Sequence, residues 1–159
     1  MIRNNFSELV RGDRVRAKTP SEINQAIDTE TAATVRFYAS KTHYEIGKRI
    51  KELDNEWDIG RHIEARASVL SLIGVIFGLK WSKKWFILPI IAATFLLQYV
   101  IHGWCPPVSI LRRFGIRTRQ EIDVEKYALK ALRGDFDEIS SQDSSIGRAK
   151  EAVNESRSV

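Results

Sequence analysis

A single cysteine, Cys105, excludes any intrachain disulfide and leaves the redox compartment open. The three histidines, His43, His62 and His102, are scattered and have no paired-ligand spacing, so no metal site is expected. None of the glycines sits in a phosphate-cradling loop, so no nucleotide cofactor is expected either. The first 16 residues contain no apolar h-region of a cleavable signal, so any insertion into a membrane is expected to be directed by internal segments. Finally, the stretch from Val69 to Ile101 holds no acidic residue, and its only charged side chains are Lys80, Lys83 and Lys84.

That stretch holds most of the long apolar runs, whereas the first 60 or so residues and the last 50 are charged and polar. The net charge of +5 suits an anionic partner, and the placement of the cations favours lipid. Arg61 and Arg66 precede the first apolar run, the three lysines fill the gap, and Arg112, Arg113, Arg117 and Arg119 follow the second. No aromatic-basic motif or groove-reading module accompanies them, so nucleic acid is not an expected partner.

Helix punctuation is clear in the polar regions. Thr19-Pro20-Ser21-Glu22, Thr42-His43-Tyr44-Glu45 and Thr118-Arg119-Gln120-Glu121 each read as a capping box, the first with proline at the opening helical position. Ile46, Ile50, Leu53 and Trp57 then share one helix face, as do Ile122, Leu129 and Leu132, with Ala128 and Ala131 alongside. Core packing among themselves is the simpler fate for these faces, a partner groove the alternative. Residues 1–18 and the Ser-, Asp- and Glu-rich tail 137–159 are expected to be mostly disordered, with a frayed helix near Ile146 to Val153.

The two apolar runs, 65–79 and 85–101, predict a helical hairpin. The second is apolar on every side, which a helix on a water-facing surface cannot be. Its length of about 25 Å falls a little short of a hydrocarbon core of about 30 Å. Trp81 and Trp85 at one end, with Tyr99 and Trp104 at the other, stand where an aromatic belt would sit. Arg66 and Lys80 can snorkel from opposite ends of the first run. Lys80 to Lys84 allows only a tight reversal, so the helices run antiparallel. Lys48, Arg49, Lys51 and Arg61 on one flank and the four arginines on the other outweigh the lysines of the turn. The positive-inside rule then puts both polar segments in the cytoplasm. A hairpin dipping into one leaflet is the alternative.

Within the pair, Ala67, Ser71, Gly74 and Gly78 form a stripe of small residues, the last two in a G-x-x-x-G. Small side chains let backbones approach, which drives association where lipid already solvates leucine; the contact is with the second helix or with another copy. Thr94, Gln98 and His102 share a face of the second helix, and interhelical hydrogen bonding by Thr94 and Gln98 is the favoured role over an ion path. Pro89 should kink that helix early. Gly103 can end it, and Pro107 can open a short basic helix stopped by Gly115. Cys105 lies beside that helix start, where a helix field can lower a thiol pKa and make it a nucleophile; a small buried residue is the alternative.

The apolar pair followed by Gly103-Trp104-Cys105-Pro106-Pro107 and by Ile110-Leu111-Arg112-Arg113-Phe114-Gly115-Ile116-Arg117-Thr118 resembles the YgaP-like transmembrane domain family. Members have two short membrane helices ending in a Gly-x-Cys-Pro element. The resemblance spans roughly residues 58–118. It implies a bacterial inner-membrane location and, in members fused to rhodanese domains, dimers and a link with sulfur transfer. Neither a rhodanese domain nor its active-site loop is found in this sequence.

The expected architecture is therefore all-α, a membrane hairpin flanked by amphipathic cytoplasmic helices. Residues 1–18 form a disordered terminus, 19–57 amphipathic helices, 58–118 the hairpin with its Gly-Trp-Cys-Pro-Pro element, 119–136 a further helix and 137–159 a tail. The expected role is a non-enzymatic, self-associating anchor or accessory subunit, partnered by the bilayer, by copies of itself as a homodimer or larger homo-oligomer, or by another membrane protein. The rival readings are a sulfur carrier using Cys105 and a soluble bundle with Val69 to Ile101 as its core.

Overall fold

The computed structural model describes residues 12–137 and 144–157, and every regular element among them is helical. In chain order these are α1 (Arg14–Ala17), α2 (Ser21–Tyr38), α3 (His43–Asn55), α4 (Ile59–Lys80), a 3-10 turn (Lys83–Phe86), α5 (Ile87–His102), α6 (Pro106–Arg113), α7 (Arg119–Arg133) and α8 (Ser145–Arg157). The described residues divide into two compact units, each assembled from separate stretches: 12–28 with 57–121, and 29–56 with 122–137 and 144–157.

In the first unit, Val15, Ile59, Ile63, Cys105, Val108 and Leu111 form a buried cluster, with Leu96, Tyr99, Trp104 and Ile116 packed against it. Residues 12–18, expected to be disordered, contribute to it. Asp13 Oδ1 accepts the amides of Val15 and Arg16 at 2.9 and 3.0 Å, and that cap holds α1 so that Val15 enters the core. Residues 1–11 of the expected disordered terminus lie outside the described residues.

In the second unit, Ile46, Ile50, Leu53, Ile122 and Leu129 form another buried cluster with Tyr38 against it, the self-packing that the two one-sided faces require. Trp57 and Leu132 do not join it: both are exposed, and Trp57, in the first unit, lies under the Arg61 guanidinium. Arg49 reaches the buried Glu125 at 3.0 Å, and Lys126 pairs with Asp54. The Thr42 box is fully made, with Glu45 bonded reciprocally to it. The tail departs from expectation, since α8 is helical over its length and extends beyond the expected frayed turn; residues 138–143 lie outside the described residues.

Candidate functional site

The apolar helices belong to the first unit, and α4 starts earlier than the apolar run. Asp58 Oδ1 accepts the Arg61 amide at 2.8 Å, so Ile59 opens the helix and the charged turn carrying Arg61, Glu64 and Arg66 is helical too. From Ala67 to Leu79 no charge interrupts it. After Trp81 the chain reverses through Ser82, whose hydroxyl accepts the Lys84 amide at 3.4 Å, and the 3-10 turn. Pro89 then falls in the first turn of α5, where the missing amide has no intrahelical partner to lose. It follows directly on the passage from the 3-10 turn into α5, through Phe86 and Ile87 in right-handed helical conformation.

Between Ala67 and Ile101 only Gly74, Gly78 and Ala92 are buried. A Cβ on Gly74 would overlap Pro89 Cδ and lie 2.8 Å from Leu88 Cβ, and one on Gly78 would lie 2.9 Å from the Phe86 ring. The small-residue stripe is thus spent on the next segment of the same chain, and it lets α4 and α5 pack closely. Ala67 borders an apolar cavity of about 140 Å³ with Ala92, Phe95 and Leu96, and Ser71 is half-buried. Thr94 is exposed, and its hydroxyl donates to the Ile90 carbonyl of its own helix at 2.8 Å, a local bond in place of the interhelical one expected within the chain. Gln98 is half-buried.

Most of the remaining apolar side chains are exposed, whereas Phe77, Phe86, Leu88, Phe95 and Leu96 are half-buried. Leu72 is 62% exposed and Leu97 61%, and Val69, Ile76, Leu79, Ile87, Ile90 and Val100 are exposed as well. Both α4 and α5 belong to helices long and apolar enough to cross a membrane. At the turn, Lys80, Lys83 and Lys84 are exposed beside Trp81 and Trp85, whose rings stand 5.0 and 5.1 Å from that of Phe77. The opposite end is built differently. Tyr99 and Trp104 pack against the buried cluster instead of forming a free belt. Arg14 Nη1 donates to the Ile101 carbonyl at 3.0 Å and Lys18 Nζ to the His102 carbonyl at 3.1 Å, so two cations satisfy the carbonyls that end α5. Gly103, at φ 68°, stops the helix with its amide 2.7 Å from the Tyr99 carbonyl; Arg14 Cβ lies where a side chain would go.

Of the expected interface cations, Arg66 and Arg113 are exposed, whereas Arg112 is 1% exposed and takes another role. Its guanidinium donates to Glu121 Oε2 and Oε1 at 2.6 and 2.9 Å, to Asn24 Oδ1 at 2.7 Å, to Thr19 Oγ1 at 3.2 Å and to the Ile116 carbonyl at 3.3 Å. Such a fork fully partnered in the interior is the geometry a buried guanidinium requires. Glu121 also closes the Thr118 box: it accepts the Thr118 amide at 2.9 Å, and its own amide donates back to Thr118 Oγ1 at 3.3 Å. Arg16 reaches Glu121 Oε1 at 2.8 Å and pairs with Asp28. Burial pushes the Glu121 carboxyl pKa up, but Arg112, the Thr118 amide and Arg16 more than reverse this and hold it below the usual range. Burial likewise lowers that of Arg16, and its two carboxylate partners raise it above the ordinary value.

Cys105 takes the buried position that was the alternative to a reactive one. It caps α6 through its backbone conformation without a side-chain cap bond, and it is fully buried beside the apolar cavity. Burial pushes the thiol pKa up, with the Val108 amide acting weakly in the other direction. Desolvation is the larger of these two effects, so the thiol lies above its ordinary value where a helix start was expected to lower it. The site is therefore a surface: two closely packed apolar helices with lysines and tryptophans at one end and a buried, ion-paired base at the other. No protein-family model, curated protein or solved structure matches the chain.

Proposed function

We propose that this protein is an integral membrane protein in which α4 and α5 insert as a hairpin, acting as an anchor or accessory subunit rather than an enzyme. The observation that carries this reading is the exposure of most of the apolar side chains between Ala67 and Ile101, among them Val69, Leu72, Ile76, Leu79, Ile90 and Leu97. Water does not tolerate an apolar patch of that extent on a free surface, and hydrocarbon does. The same exposure counts against a soluble bundle with these residues as its core. The charge-free parts, about 20 Å for α4 and about 25 Å for α5 by helical rise, are short for a full core of about 30 Å. Snorkelling by Arg66 and Lys80 and local thinning make up the difference.

The resemblance of residues 58–118 to the YgaP-like transmembrane domain supports a bacterial inner membrane, and the cations flanking both polar segments support a cytoplasmic base. Self-association, in this reading, uses the outward faces bearing Leu72, Leu79 and Leu97, because Gly74 already meets α5 and Gly78 the Phe86 ring of the 3-10 turn. Digestion of inside-out and right-side-out vesicles tests the topology: both polar segments are cut only from the cytoplasmic face. Cleavage of the two segments from opposite faces would exclude the hairpin.

A further inference from the structure

We propose that α6 is an interfacial helix that seats an anionic phospholipid headgroup between Lys18 and Arg113 while Ile110 and Phe114 rest in the upper acyl region. The proposal rests on the membrane reading above and names the lipid chemistry its base recognises. α6 begins four residues after α5 ends. Its inner side is committed to the fold, with Val108 and Leu111 in the core and Arg112 in its ion pair. Its outer side, by contrast, shows Ile110 at 58% exposure and Phe114 at 79%, one helical turn apart. Gly115, at φ 76°, ends the helix just beyond Phe114.

A large aromatic and a β-branched residue exposed together on a short helix need a cover, and charge indicates which. Lys18, Trp104, Ser109 and Arg113 border one cavity of about 250 Å³ beside this face. Between Glu64 and Glu121 the sequence contains no acidic residue, so nothing in that stretch opposes an anion there. The Lys18 ammonium already marks the level at which α5 ends, since it donates to the His102 carbonyl. A phosphodiester at that level meets two cations and a hydroxyl, and the acyl chains below it meet Ile110 and Phe114. That is the arrangement of a basic amphipathic segment lying in the plane of an anionic leaflet.

Spin labels at F114C and, separately, at L97C, each in the full chain carrying C105A, test this in vesicles of phosphatidylcholine alone and with added phosphatidylglycerol. Both labels are expected to be reached by oxygen and protected from an aqueous relaxing agent in the anionic vesicles. The double variant K18Q/R113Q should raise aqueous access at position 114, by up to about 25-fold if each cation contributes about fivefold as a surface charge does, and leave position 97 unchanged. A label at 114 that is aqueous while 97 is lipid-exposed overturns the proposal and leaves the hairpin standing. Aqueous signals at both positions overturn both readings. Spin-spin broadening at 114 would assign the face to a second copy, and protection at 114 indifferent to phosphatidylglycerol and to K18Q/R113Q would overturn the headgroup assignment.

Discussion

Ile59 and Ile63 lie on the same helix as Leu72 and Leu79, yet the first pair is buried in the core and the second is exposed. The difference follows from their neighbours. Around Ile59 and Ile63 the helix carries Arg61, Glu64 and Arg66, so its apolar residues form one face and that face finds Val15, Val108 and Leu111. Around Leu72 and Leu79 there is no polar face, and a single neighbour, α5, cannot cover every side. Amphipathic turns bury their apolar residues within the protein, whereas an all-apolar turn leaves them for the solvent to accept. The two ends of α4 thus present different surfaces, and in the membrane reading proposed above they meet different solvents.

The largest effect should come from the base. Glu121→Gln leaves the buried Arg112 guanidinium uncompensated and is expected to destabilise the first unit by about 3–5 kcal/mol, read by denaturant unfolding in detergent, without releasing the protein from membranes. The pH dependence follows from the same pair. The folded pKa of Glu121 lies below its ordinary value of 4.5, so its stabilisation is fully present above that value and is lost as pH falls through the lower folded pKa. Wild type should therefore lose stability on acidification below that range more steeply than Glu121→Gln. Equal acid sensitivity in the two proteins would show that the pair does not support the base.

Next comes a charge on the outward face. Leu97→Arg alters no buried contact and would be nearly neutral in water, but in hydrocarbon it should cost up to about 3 kcal/mol, measured as the inserted fraction during synthesis onto membranes. Packing between the helices gives a smaller change. Gly74→Ala forces a Cβ onto Pro89 and Leu88 and should cost about 1–3 kcal/mol of thermal stability in detergent, whereas Val75→Ala on the exposed side should be close to neutral. If the two behave alike, the α4–α5 contact is not made through the glycine stripe. The smallest effect concerns Cys105, whose burial and raised pKa predict slow labelling by maleimide in folded protein at neutral pH and rapid labelling once unfolded. Rapid labelling of the folded protein would reopen thiol chemistry.

Local signals in the sequence carried much of this. The Thr42 and Thr118 boxes and the two apolar runs are legible because each depends on residues within a turn or two. The role of Arg112 is not, since two of its partners, Asn24 and Thr19, lie 88 and 93 residues away and a basic residue after an apolar run reads as an interface anchor. The α1 turn escaped because a four-residue helix has no periodicity, and only the Asp13 cap marked it. The small stripe was legible as a contact face, while its partner became visible only once Leu88 and Pro89 were placed against Gly74.

In the membrane reading the outward apolar surface of α4 and α5 is solvated by lipid. Cell-free synthesis of the full chain with and without phospholipid vesicles, followed by flotation and an alkaline carbonate wash, tests it most directly. The chain is expected to float with vesicles, to resist carbonate, and to aggregate when no lipid is supplied. A monodisperse, soluble product in the absence of lipid, or release by carbonate, would contradict it.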